Sequence, residues 1–472
     1  MKDTRPFPVD GSTQSYWQYE GQHNGLPEKL KQNNIDFPDI CDVAIVGGGY
    51  AGIATAYHLL KSTSPPPRVV LLEGREPCLG ATGRNGGHLR PDYFMAAAKS
   101  SERYGAAAAS EVVQFEVNHL SAIKSLIESE DIDCDFNETV SLCVFTKPEQ
   151  AVFAREVYDK LQQEPSFDEA LLNRVDFYTG VDAPHRTGVI EAKGYFSTPA
   201  AHFSPYKLFT ALLACCMDLG LCLRTSTTVE SVEKSKGDDH ILTTLLGDTL
   251  SAKKVVIAAN AYTSALLPEY TTAIVPCKGL VCHITGPEDR VLSKLPASSF
   301  AIMEQDPISN ATGYNYMLQL ADNSIVVGGA HHKYDTNDLG SWYHNFDDTQ
   351  LITPAQSYFE DKFMQRSFIG WEDSQAHVDR VWTGIMGYST DSLPHVGEVP
   401  DRQGVFVIAG FHGHGMPVIF LAAKGVAALI DQGTPYNKTG LPSIFKISRD
   451  RLETQLNDIL AGRGIVSNKK LI

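Results

Sequence analysis

The segment from Cys41 to Leu60 constrains this chain more than any other. CDVAIVG is a short unbroken apolar run, the pattern of a parallel strand buried on both faces. Gly47-Gly48-Gly49-Tyr50-Ala51-Gly52 follows directly, and AGIATAYHLLK then takes up helical periodicity. Strand, G-x-G-x-x-G and helix in that order form a cradle for a pyrophosphate. Gly47 allows the tight turn, Gly49 lets backbone approach the phosphates, and Gly52 permits close packing of helix on strand. The first helical N–H groups, Tyr50 and Ala51 among them, face the negative charge. STSPPP breaks the helix, RVVLLEG supplies a second buried strand, and Glu73 stands at its end. A carboxylate there accepts hydrogen bonds from ribose hydroxyls and repels a 2′-phosphate.

Two further glycine segments suit a long dinucleotide. Gly80-Ala81-Thr82-Gly83-Arg84-Asn85-Gly86-Gly87-His88 follows soon after Glu73. Its glycines let backbone come close to something extended, and Arg84 and Asn85 can bond a pyrophosphate or a ring edge. The alternative is a surface glycine loop. A nicotinamide enzyme has no need of this second cradle, whereas FAD does. Gly410-Phe411-His412-Gly413-His414-Gly415-Met416 joins the apolar run GVFVIAG to the helical MPVIFLAAKGVAALI. It is another glycine-held helix start and another site for negative charge.

AIVGGGYAGIATAYHL with Glu73, GATGRNGGHL, KKVVIAANAYT and AGFHGHGM together resemble the D-amino-acid oxidase, glycine oxidase and sarcosine oxidase superfamily of FAD-dependent enzymes. GATGRNGG is most similar to its gamma-glutamylputrescine-oxidase-like branch. The resemblance implies FAD as cofactor, with Gly74, Arg75, Val229, Ala259 and Asn260 as additional contacts. It implies that backbone N–H groups of Gly415 and Met416 face the flavin N1 and C2 carbonyl. Four positions depart from the family. Ile385 stands where sarcosine oxidases tether the flavin through Cys, and no motif makes His88 a histidyl tether, so FAD is expected to be non-covalent. Pro417 replaces a Lys that binds substrate carboxylate. Val326 stands where a Lys assists oxygen, which leaves O2 or another acceptor open. His412 takes the place of the usual Ser.

The expected fold class is α/β. A Rossmann-like FAD-binding domain of glutathione-reductase-type topology carries an inserted α+β substrate domain on a mainly antiparallel sheet. The expected division is an irregular N-terminal arm (1–38), a discontinuous FAD-binding domain (39–100, 200–265 and 380–435), a substrate-binding domain (101–199 and 266–379) and a C-terminal extension (436–472). Helices are expected over Phe94–Ile132, from Pro148, from Pro205 and near Ala355–Arg366. Residues 275–385 otherwise read as strands.

The chain shows no second strand-linked G-x-G-x-x-G for NAD(P)H, so the substrate itself is the expected hydride source. The site then oxidises a C–H bond next to nitrogen in a small amine or amino acid, giving an imine. The amine must be neutral, and the protein's task is alignment and desolvation. Trp382 and Tyr388 are candidate aromatic walls, or else core. Tyr314 and Tyr316 alternate along one strand and offer the same choice. His412 either meets substrate and moves a proton, or is a packed ring. Two other readings stay open: oxidative tailoring or cyclisation in a biosynthetic pathway, and a flavoprotein without turnover.

The formal net charge of −16 argues against nucleic acid and anionic membranes as partners. No run reaches the roughly 18 apolar residues of a membrane span, and the N-terminus lacks a signal core. None of the nine Cys forms a C-x-x-C pair, and no Cys/His cluster has metal spacing. Reduced thiols and these absences point to a cytoplasmic protein without a metal site; the oligomeric state stays open.

Overall fold

The computed structural model describes residues 5–23, 25, 30, 37–62, 65–287, 292–306, 312–334, 336–431, 433–463 and 465. The ends of the expected arm and extension, residues 1–4 and 466–472, lie outside them. Two sheets organise the described residues.

In the first sheet, Ile40–Val46 lies between Val69–Leu72 and Thr249–Ile257, parallel to both. Cys222–Arg224 and Val405–Ala409 extend the parallel set on either side. These are the unbroken apolar runs of the sequence, and Ala44, Ile45, Val255, Val256 and Val407 are fully buried, as strands covered on both faces must be. His395–Glu398 closes one edge antiparallel, and the hairpin Val229–Lys234/His240–Thr244 joins Thr249–Ile257. The helix Tyr50–Ser62 packs against Ile419–Asp431 and Pro205–Asp218. The sheet thus takes its strands from the start, middle and end of the chain.

The second sheet runs His377–Ser389, Ile274–Thr285, Ile325–Gly328, Thr312–Gln319, Ser298–Gln305, Asn137–Phe145, Gly194–His202 and His88–Leu89, with Asp176–Tyr178 also paired to Gly194–His202. All its pairings are antiparallel except Ser298–Gln305 with Asn137–Phe145. The two-sheet α/β architecture is the one expected.

Several elements differ from the sequence reading. Gly194–His202, which carries Pro199, pairs with Asn137–Phe145 along its whole length. Its side chains alternate between buried and half-buried, but small and polar residues mute the signal. The supposedly irregular arm contains the helix Tyr16–His23, with Trp17, Gln18 and Gly21 buried. The helix near Ala355–Arg366 is two, Thr353–Glu360 and Phe363–Ser367, parted at Lys362 with φ 48°. His377–Ser389 is one strand of the second sheet, and so crosses the expected boundary at 380. No described helix is long and apolar enough to cross a membrane.

Candidate active site

A cavity of about 390 Å³ opens beyond the carboxyl ends of the parallel strands, where Val46, Leu72 and Ala258 line it, and reaches the second sheet at Gly279, Val281 and Ile385. The carboxyl edge is where open α/β sheets hold their ligands.

The first glycine motif is built as its residues dictate. Gly47 has φ +115°, and a Cβ there would lie 2.6 Å from the Ala258 carbonyl oxygen. Gly52 does not line the cavity: a Cβ on it would lie 1.9 Å from the Gly47 carbonyl oxygen, so its task is helix-to-strand contact. Gly49, Tyr50 and Ala51 line the cavity. The Tyr50 N–H, however, donates to Thr82 Oγ1 at 2.8 Å, which joins the first cradle to the second. Glu73 accepts from the Gly48 N–H at 2.6 Å and the Arg75 N–H at 2.8 Å. Burial pushes its carboxyl up, against the pull of those two bonds. Gly74, Val229, Ala259 and Asn260 also line the cavity. Asn260 Oδ1 accepts from the Gly410 N–H at 3.0 Å, which ties Gly410 behind the wall rather than in it.

The second cradle departs from expectation in its side chains. Gly80, Ala81, Thr82, Arg84, Asn85, Gly86 and His88 line the cavity, but Gly87 does not. Gly87 has φ +79° and lies against the Phe203 carbonyl. The Arg84 guanidinium is spent on protein: Leu79 O at 2.6 Å, Thr383 O at 2.7 Å, Ser12 Oγ at 2.7 Å and Thr13 Oγ1 at 3.1 Å. It braces the arm, the loop and the second sheet, and has no fork left for a pyrophosphate. Arg75 likewise meets buried Asp348 at 3.0 Å. Asn85 folds back on its own loop, donating to Thr82 O and accepting from the Gly87 N–H. His88 Nε2 lies 3.2 Å from Met317 O, and burial lowers its pKa to about 3, so the ring is neutral.

At the other end, Gly413, His414, Gly415 and Met416 line the cavity, and the helix begins only at Ile419. Tyr316 and Tyr388 line it as well, and neither hydroxyl has a hydrogen-bond partner among the described residues. Burial pushes the Tyr388 phenol up to about 12.

Three expected substrate or catalytic side chains are elsewhere. Trp382 is fully buried, outside the cavity, and its Nε1–H donates to Arg84 O at 2.8 Å. It is a fastener of the second cradle. His412 sits at φ 50°, stacks on Tyr388 at 4.5 Å, and directs Nδ1 to Ser389 O at 2.9 Å. Burial lowers its pKa to about 4, and it lies behind the aromatic wall. Tyr314 is half-buried and packs against the core cluster that contains Phe94 and Phe196, and only Tyr316 of the pair reaches the cavity.

The sequence reading missed Phe7, Pro8, Arg90, Tyr262, His331 and Met386 in the cavity wall. Trp17, on the arm, donates from Nε1 to Asn85 O at 2.7 Å. The arm's own Trp17 and Pro8 were the available signals. Arg90, two residues past the second motif, makes no hydrogen bond or ion pair among the described residues.

These cradles fit FAD: Cβ atoms on Gly47, Gly49 or Gly52 would fill the close approaches that a dinucleotide and its helix need. The pattern of the FAD dependent oxidoreductase family, DAO, matches residues 42–429. The chain belongs to that family. It is similar to the gamma-glutamylputrescine oxidoreductase of Escherichia coli strain K12, at 23% identity over 83% of each chain. It is also similar to the glycine oxidase of Geobacillus kaustophilus, at 24% identity over 83% of this chain and 93% of that one. The crystal structure of that glycine oxidase superposes with a TM-score of 0.67, covering 87% of this chain and 99% of it. A nikkomycin-biosynthesis amino acid oxidase, NikD, shares the fold at a TM-score of 0.63 and 17% identity, over 84% of this chain and 95% of that one. The protein is therefore an FAD-dependent oxidoreductase related to amine and amino-acid oxidases.

Proposed function

We propose that the protein oxidises the C–H bond next to nitrogen in a small amine or amino acid that carries an acidic group. Bound FAD would accept the hydride, and O2 or another acceptor would take the two electrons onward. The nitrogen lone pair becomes the second bond of C=N, the resulting iminium releases its N–H proton to water to leave the imine, and water then hydrolyses the imine.

The observation that carries the reading is Arg90, a cavity-lining guanidinium with no hydrogen-bond or ion-pair partner among the described residues. An uncompensated cation favours an acidic group and disfavours a cationic one, so a substrate held there is biased toward the neutral amine the chemistry needs. Tyr316 and Tyr388 supply flat walls, and their free hydroxyls can donate to substrate. The cradle residues Gly47, Gly49, Ala51, Glu73 and Gly413 to Met416 would hold FAD. Ile385 in the wall and the hydrogen-bonded His88 both support non-covalent attachment. Pro417, also in the wall, favours a second reading, in which the same oxidation tailors a biosynthetic intermediate.

Arg90→Gln tests this. The variant should raise KM for an acidic amine substrate at least 30-fold and leave a neutral analogue within a few-fold. Equal effects on both would contradict the assignment.

A further inference from the structure

Glu116 belongs to none of the cofactor motifs. It lies on the long helix Ala106–Ser129, and its side chain is only 8% exposed. Its Oε2 meets two donors, His414 Nε2 at 2.8 Å and the Asp92 N–H at 2.7 Å. His414 stands in the cavity wall with 37% of its side chain open. A buried carboxylate is kept where a partner compensates it, and among the described residues its only side-chain partner is that imidazole.

The surrounding charges favour the same state. Glu116 and Asp92 raise the His414 pKa above its ordinary value, outweighing burial and Arg90, which lower it. His119, one turn along from Glu116, is held neutral. Its Nδ1 lies 2.9 Å from Phe115 O, its Nε2 accepts from the Leu421 N–H, and burial lowers its pKa to about 4. Of the two imidazoles near Glu116, His414 is the one whose surroundings favour the protonated form.

We propose that Glu116 is a positioning residue that holds His414 as an imidazolium in the cavity wall, and that this fixed charge favours the reduced form of FAD. The inference rests on the reading that Gly413–Met416 faces the flavin's pyrimidine edge. With a cofactor covering this wall, a charge close to where negative charge develops acts more strongly than the same charge in solution.

The test needs no substrate. Sulfite adds through its sulfur lone pair to flavin N5, and the electron pair ends on the N1–C2 carbonyl region, so its affinity reports positive charge there. Holoenzyme, Glu116→Gln and His414→Gln are compared for sulfite dissociation constant and FAD midpoint potential at several pH values. Each variant should weaken sulfite binding about tenfold at neutral pH. Each should also shift the oxidised/reduced equilibrium about tenfold, which is about 30 mV for a two-electron couple. The double variant should lose no more than either single one. The wild-type advantage should fade as pH rises through the elevated imidazole range. Wild-type sulfite affinity and potential in FAD-replete Glu116→Gln would overturn the proposal. Should that variant fail to hold FAD, His414→Gln decides alone: an unchanged potential overturns it, and a lowered one supports it. Neither result depends on which amine the enzyme oxidises, so failure here is separable from failure of the amine reading.

Discussion

Gly52 offers the sharpest test of how the cofactor site is built. A Cβ at Gly52 would lie 1.9 Å from the Gly47 carbonyl oxygen, and real contacts of this kind stop near 3.0 Å. In Gly52→Ala the helix Tyr50–Ser62 must therefore retreat by about 1 Å from the turn that carries Gly47 and Gly49, because the obstacle is backbone and cannot rotate away. Overpacking of this sort costs ~1–3 kcal/mol, and a backbone obstacle places it near the upper figure. About 3 kcal/mol taken from the binding-competent geometry weakens FAD by roughly 100-fold. Gly237→Ala is the control. It lies in a hairpin turn away from the cavity, and a Cβ there meets only Ser235 Oγ, at 3.7 Å. Apoprotein of each variant is titrated with FAD by flavin fluorescence. Gly52→Ala should bind about 100-fold more weakly, and Gly237→Ala within threefold of wild type. Equal FAD affinity in Gly52→Ala, or an equal loss in Gly237→Ala, would refute the steric argument.

Trp382→Phe removes the donor to Arg84 O from the core. It should cost about 1–3 kcal/mol in stability and reduce FAD retention while leaving KM unchanged, as thermal unfolding and steady-state kinetics would show. His412→Asn keeps a residue that tolerates positive φ, and should leave the pH profile of kcat in place with activity within a few-fold of wild type. Asp348→Asn leaves the Arg75 and Arg84 guanidinium groups without their buried counter-charge, and should cost about 3–5 kcal/mol by denaturant unfolding. At Asp458 burial favours the neutral acid, but hydrogen bonds from Arg103 and Lys99 hold the carboxyl down at about 2. A depressed folded pKa means the stabilisation is present at neutral pH and is lost as pH falls from near 4 toward 2. Asp458→Asn should remove about 2 kcal/mol of that acid dependence, measured by unfolding between pH 2 and 7.

The parallel sheet was legible because its strands are buried on both faces, which leaves unbroken apolar runs such as CDVAIVG and GVFVIAG. Gly47 and Gly52 were legible because backbone approach admits no side chain. Gly194–His202 was not, since Pro199 and its polar neighbours obscure alternation that only the paired Asn137–Phe145 makes evident. Side-chain direction was the other limit. Arg84 sits in the expected loop, yet the arm and Thr383, far away in sequence, claim its guanidinium. Trp382 and Tyr388 lie on one strand, and nothing local says that one fastens a loop while the other faces the cavity. Glu116 had no motif around it at all, and only the folded chain brings it to His414.

Anaerobic reduction of the bound flavin shows whether an acid-bearing amine is the hydride source. Purified holoenzyme is mixed, without NAD(P)H, with amines and amino acids that do and do not carry an acidic group. Bleaching of the flavin band by acid-bearing amines, and much weaker bleaching by their uncharged analogues, is the predicted result. Bleaching by NADPH with none by any amine would contradict it.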